Sequence, residues 1–212
     1  MNVKVLLFLL LLAPPALAQG FAGLGTDAKG FAMPEAGVAL DFPRDHGAHP
    51  DYRIEWWYLT ATLQGEDGRD YGAQWTLFRS ALAPGDADGW DSPQVWMGHA
   101  GLTTPERHYS AERFARGGVG QAGAQADPFD AWIDDWRMTS TAPGGADAYS
   151  ALSIGATGAD FSYDLRVQAE GPLVLHGQDG DSVKSAAGQA SYYYSQPFYT
   201  VTGTLNLPDG PV

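Results

Sequence analysis

No cysteine occurs in the 212 residues. The chain therefore has no disulfide framework, no thiolate zinc site and no thiol nucleophile. Basic residues are also scarce: 12 Lys and Arg stand against 25 Asp and Glu, a formal net charge of −13. So acidic a chain lacks the positive surface that nucleic acid or anionic lipid headgroups require, which argues against both as partners. No G-x-S-x-G elbow is present, so a serine hydrolase of the α/β type has no nucleophile. Glycine patterns such as Gly118-Val119-Gly120 precede no helical pattern that would cradle a phosphate. Neither a ten-residue amphipathic helix nor an internal repeat is found.

The N-terminus carries the longest apolar run. A lone Lys4 precedes an apolar stretch over 5–13, then Pro14, Pro15 and the small-residue site Ala16-Leu17-Ala18. This pattern predicts a secretory signal peptide over 1–18 and a secreted or periplasmic protein with no integral membrane segment after signal cleavage. Residues 19–39 read as a loosely ordered lead-in. Export permits disulfides, yet none is available, so stability must come from a core.

Seven Trp, ten Tyr and nine Phe accompany 27 Gly, a mixture that favours short strands and tight turns. Strand signals cover 53–63, 71–82, 94–103, 149–156 and 161–169, the last with clean alternation from Phe161 to Ala169. Residues 107–115 are ambiguous, and 117–127 read as a glycine-rich loop. Trp132 and Trp136 lie at helical spacing, but the alternation over 132–139 favours a strand. Residues 190–207 read as a strand pair or bent strand with Pro197 at an edge or bulge. About eight strands with short connections predict an all-β antiparallel sandwich or barrel, and a barrel of that size holds one small apolar ligand. The turn signal at 208–211 has no strand after it, which predicts a fragment of a longer protein.

The stretch RIEWWYLTATL, residues 53–63, places an acid among aromatics. Alternation puts Arg53, Glu55, Trp57, Leu59, Ala61 and Leu63 on one face, taken as inward, and Ile54, Trp56 and Tyr58 on the other. A three-residue turn Glu66-Asp67-Gly68 sets Leu63 opposite Tyr71, Leu59 opposite Trp75, and Glu55 opposite Arg79. A buried carboxylate is costly without a partner, and a cross-strand guanidinium supplies one. The pair either closes one end of the fold or orients a ligand. An Arg partner lowers a carboxylate's pKa, which argues against Glu55 as a resting general acid.

Histidines offer further chemistry. Asp45, His46, His49 and Asp51 form D-H-x-x-H-x-D, read as a metal pair or as a structured turn covering a pocket. His99 lies in the small-residue strand MGHAGL, as a core histidine or a proton carrier. His176, in LVLHGQDG, ends a strand as a loop residue or a second proton carrier. Tyr193, within SYYYSQPFY, either packs or lines a cavity with Trp57 and Trp75, whose ring faces favour a developing cation.

The segments FPRDHGAHPDYRIEWWYLTATL, YGAQWTLFRSAL, VWMGHAGLT and YYYSQPFYTVTGTL together resemble the carotenoid 1,2-hydratase-like, or AttH-type, lipocalin-like family. The resemblance runs over about 40–205, and the E-W-W-Y block preceded by D-H-x-x-H is its most specific part. It implies a lipocalin-like (calycin) β-barrel domain over 40–207, the first of two, with 208–212 opening a linker to a C-terminal domain against which this one would pack. It also implies a hydrophobic small-molecule substrate, isoprenoid or lipid-like, and no cofactor. Some members add water across a terminal isoprenoid double bond, whereas others carry only the label of secreted hydrolase. A non-catalytic carrier and a hydrolase with a metal on His46 and His49 are the alternatives. If hydration applies, side-chain chemistry assigns proton transfer to His99 or His176, orientation to Glu55 and Arg79, and cavity lining to Trp57, Trp75 and Tyr193.

Overall fold

A computed structural model describes residues 29–186 and 188–212. The expected signal peptide and residues 19–28 of the lead-in lie outside the described residues. Four strands, β1 (Ile54–Gln64), β2 (Asp70–Ala81), β3 (Gln94–Thr103) and β4 (His108–Arg116), form an antiparallel meander. Its first hairpin has the register that the turn length predicts: Leu63 faces Tyr71, Leu59 faces Trp75, and Glu55 faces Arg79. Gly65 N donates to Arg69 O at 2.9 Å, and Gly68 takes a φ of +76°, the left-handed conformation a three-residue hairpin loop needs. Burial follows the alternation, with Trp57, Leu59 and Ala61 inward and Tyr58 and Thr60 exposed. The ambiguous segment after position 106 is thus a strand, paired along its length with β3.

The chain continues as β5 (Ala122–Ala126), β6 (Phe129–Ile133), β7 (Trp136–Ser140), β8 (Ala151–Thr157) and β9 (Ser162–Ala169). It then leaves this sheet for four short segments, β10 (Val174–Leu175), β11 (Asp181–Val183), β12 (Ala190–Tyr192) and β13 (Tyr194–Ser195). These pair as β10 with β13 and β11 with β12. The chain returns as β14 (Tyr199–Leu207) and β15 (Gly210–Pro211), giving a seven-stranded sheet of order β15-β14-β9-β8-β7-β6-β5.

Several expectations change. The glycine-rich stretch 117–127 contains β5, because Gly123 gives room for the Trp132 ring on β6, which would meet any Cβ there at 2.6 Å. The single strand over 132–139 is a hairpin: Asp134, with φ +52°, reverses the chain, and Ile133 pairs with Trp136. The two-residue turn exchanges parity between the strands it joins, so the buried set passes from Phe129, Ala131 and Ile133 to Trp136 and Met138, and Trp132 lies on the opposite face from Trp136. Residues 190–207 are three strands, interrupted around Pro197. The turn before position 210 closes the β14–β15 hairpin, so it does lead to a strand.

The sheets pack face to face around Trp75, Leu77, Leu102, Ile133, Trp136, Ile154 and Leu165, all buried. Gly98 marks the closest approach: a Cβ there would lie 2.7 Å from Ile133 Cγ2 and 3.2 Å from the Trp136 ring. Tyr163 Oη on β9 donates to Gln74 O on β2 at 2.5 Å, a polar tie across the core. The architecture is all-β and antiparallel, but the expected closed barrel is not found. Among the described residues no ladder joins β1 to β14 or β4 to β5, so the two main sheets remain open at β1. Among those residues no helix is long and apolar enough to cross a membrane.

Candidate functional site

The open edge of β1 borders a cavity of about 1020 Å³. Trp57, Leu59 and Ala61 wall one side, while Met138, Leu152 and Val201 of the opposite sheet form the other. Tyr192, Tyr193 and Tyr194 close it from β12 and β13. The size and the mixture of apolar walls with a few polar groups fit a small-molecule site.

One end of this cavity is polar, and the turn before β1 builds it. Residues Arg44–His46 form a 3-10 turn, and the chain then runs past His49 and Tyr52 into β1. Arg79, only 1% exposed, fastens this segment from β2. Its Nε donates to Glu55 Oε2 at 2.7 Å, its Nη2 donates to His49 O at 2.9 Å and Tyr52 O at 2.6 Å, and its Nη1 donates to Gln94 Oε1. A buried guanidinium requires such dense pairing.

Glu55 turns its second oxygen toward His49. His49 Nδ1 lies 2.6 Å from Glu55 Oε1, and His49 N donates to Glu55 Oε2 at 2.8 Å. On the other side of the ring, His49 Nε2 lies 3.3 Å from Asp45 Oδ1. The hydrogen bond to Glu55 raises the His49 pKa against the opposing effect of burial, and Asp45 adds to the rise. Burial pushes the Asp45 carboxyl up, but the Arg44 side chain at 2.8 Å and the Asp41 N–H outweigh it and hold its pKa low. His49 thus bridges two carboxylates that favour its protonated form, and it lines the cavity.

His46 has the opposite surroundings. Its ring is fully buried, stacked at 4.6 Å on Phe42 and 4.3 Å on Tyr149. Tyr194 Oη donates to Asp45 O at 3.0 Å and therefore accepts from His46 Nδ1 at 2.9 Å, which leaves Nε2 a bare lone pair. Burial lowers the His46 pKa to about 4. The backbone carbonyl of the same residue accepts from Trp57 Nε1 at 2.8 Å, tying the turn to β1.

A sequence model of the AttH-like family matches residues 33–212. The chain belongs to the AttH-like family. A candidate AttH from Nitrosomonas europaea, with a crystal structure at 2.00 Å resolution, is 34% identical to it and superposes with a TM-score of 0.71. The match covers 85% of this chain and 54% of that one, so the chain spans about half the length of that solved structure. No curated protein matches the chain.

In this AttH-like chain the residues singled out from sequence separate into two groups. Glu55, His49, Trp57 and Tyr193 line the cavity, with Arg79 directly behind Glu55. Tyr193 carries His176 stacked on its ring at 4.3 Å and Lys184 Nζ 4.6 Å from its centroid. His176 therefore sits behind the wall, its Nε2 2.7 Å from Ser195 Oγ, and not at the cavity as a proton carrier would. His99 is corrected more fully: it lies exposed on the outer face of β3, opposite Thr76 and Glu112, neither in the core nor at the cavity. Parity explains this, since small Gly98 faces the second sheet and its neighbour must face out. Trp75 is a fully buried core residue and not a wall of the cavity.

His46 and His49 do not converge as a metal pair, because His49 uses both nitrogens on carboxylates and His46 turns Nδ1 to Tyr194. Sequence reading assigned no site role to Tyr149, Tyr194, Gln94 or Arg53. The three first gain their roles through distant contacts. Arg53 shares the inward parity of Glu55 and was legible on that ground.

Proposed function

We propose that this AttH-like chain binds a hydrophobic, isoprenoid or lipid-like molecule in the cavity beside β1 and adds water to one of its carbon–carbon double bonds. The observation that supports this reading most is the imidazole of His49, held between Glu55 and Asp45, which favour its protonated form, where the polar end meets the apolar walls. His49 gives its proton to one alkene carbon, and the neighbouring carbon becomes a tertiary cation. The ring faces of Trp57 and the nearby tyrosines lower the energy of that cation. Water adds to it, and the oxonium proton returns to His49, so the group is regenerated with no cofactor. Glu55, fixed by Arg79, holds the ring and stabilises its charged form.

The carrier reading remains as a second one, supported by the complete pairing of Arg79 and Glu55, which serves a binding pocket equally well. Incubating the protein with an acyclic polyene and following products by mass spectrometry separates the two. Hydration gives a product heavier by one water, formed about 10²- to 10⁴-fold more slowly by His49→Gln. Tight binding with no product supports the carrier, and absence of both binding and product overturns the cavity reading itself.

A further inference from the structure

Arg53 is the one cavity-lining guanidinium with no side-chain hydrogen bond or ion pair among the described residues, and its Nη1 is buried. A buried donor of this kind costs free energy until something accepts from it, and a charged donor costs more than a neutral one. The same cavity holds a second orphan, Ser191 Oγ, which is also buried without a partner. The rings of Tyr52 and Tyr192 meet at 6.0 Å, so the segments that carry Arg53 and Ser191 adjoin where both residues line the cavity.

The carboxylates in the wall do not compete for this guanidinium. Glu55 is shared by Arg79 and His49, and Asp45 by Arg44 and His49. Lys184, a further cation in the lining, donates to Ser182 Oγ at 2.8 Å and rests over the Tyr193 ring, with no carboxylate partner among the described residues. A chain of net charge −13 thus keeps uncompensated positive charge in its apolar cavity. An apolar wall ending in an unpaired guanidinium and a hydroxyl is complementary to an amphipathic anion.

We infer that the cavity selects a long-chain carboxylate, whose two oxygens take the Arg53 fork and the Ser191 hydroxyl while its hydrocarbon chain lies along Trp57, Leu59 and Leu152. Lys184 is already engaged by Ser182 and the Tyr193 ring, so the orphaned donors are one guanidinium and one hydroxyl, which match a single negative charge and favour a carboxylate over a dianionic phosphate head. This inference rests on the cavity reading above and narrows it to one class of lipid-like ligand.

Tryptophan-fluorescence titration of the full chain with oleate and with the uncharged oleyl alcohol tests it. Oleate should bind at least about tenfold more tightly than the alcohol. Arg53→Met should remove that preference while leaving alcohol binding in place, Ser191→Ala should weaken oleate only, and Arg53→Lys should keep part of the preference. Equal binding of the two ligands to the unaltered chain, or a preference that survives Arg53→Met, overturns the carboxylate assignment and leaves the cavity reading standing. If neither ligand binds, the cavity reading fails first. The comparison of the two ligands needs no variant, so misfolding of Arg53→Met would not blunt the test.

Discussion

His46 and His49 leave the same short turn, yet one ring enters an aromatic box and the other lies between two carboxylates. Their contributions to stability therefore have opposite pH dependence. The folded His46 pKa of about 4 lies below the ordinary 6.5, so between those values the unfolded chain binds the proton more readily. Its contribution is present above pH 6.5 and lost as pH falls toward 4, amounting to about 3 kcal/mol. The raised pKa of His49 makes its contribution complete below the ordinary value and lost as pH rises through the folded one. Denaturant titrations across pH should show a shallower acid limb for His46→Phe and a shallower alkaline limb for His49→Gln; limbs parallel to the unaltered protein would refute both. Glu55 and Arg79 belong to this scale too. Each of Glu55→Gln and Arg79→Met should cost about 3–5 kcal/mol, because either leaves a buried group unpaired. The double variant should fall short of the sum by at least about 1 kcal/mol, and strict additivity would dissolve the pair. This pair was legible because hairpin register follows from a local turn, whereas nothing local told that Glu55 also holds His49.

Elements show where local pattern suffices and where it misleads. In β1 and β2 the alternation, the turn at Gly68 and the burial agree, so register and facing follow together. In β6 and β7 the alternation over 132–139 conceals a reversal at Asp134, where the two-residue turn moves the buried set from Ala131 and Ile133 to Trp136 and Met138. β5 carries hardly any strand signal, as Ala122 to Ala126 contains only small residues and Gln125; it is a strand because β6 offers it a partner. Gly98 on β3 is the element-level test of sheet packing. A methyl there would press on Ile133 at 2.7 Å, so Gly98→Ala should destabilise by about 1–3 kcal/mol. Adding Ile133→Ala should return part of that loss in thermal melts. If Gly98→Ala melts like the unaltered chain, the two sheets do not pack as closely as described.

At the scale of the whole molecule, two sheets share one core and part at β1, where the cavity lies. The segment from Arg44 to Tyr52 crosses that opening, fastened by Arg79 from β2 and by Tyr194 from β13. Sequence by itself determined the all-β antiparallel class, the first hairpin with its Glu55–Arg79 register, the exclusion of thiol chemistry and the family resemblance. Each of these depends on composition or on neighbours along the chain, where period-two alternation and turn geometry act. Only the tertiary structure decided that the main sheets stay open, that His99 faces outward, that His49 and not His176 reaches the cavity, and that Arg53 lacks a partner there. Those outcomes depend on contacts such as His46 with Tyr194, 148 residues apart, whose geometry comes from how the sheets pack and not from any pattern within a strand.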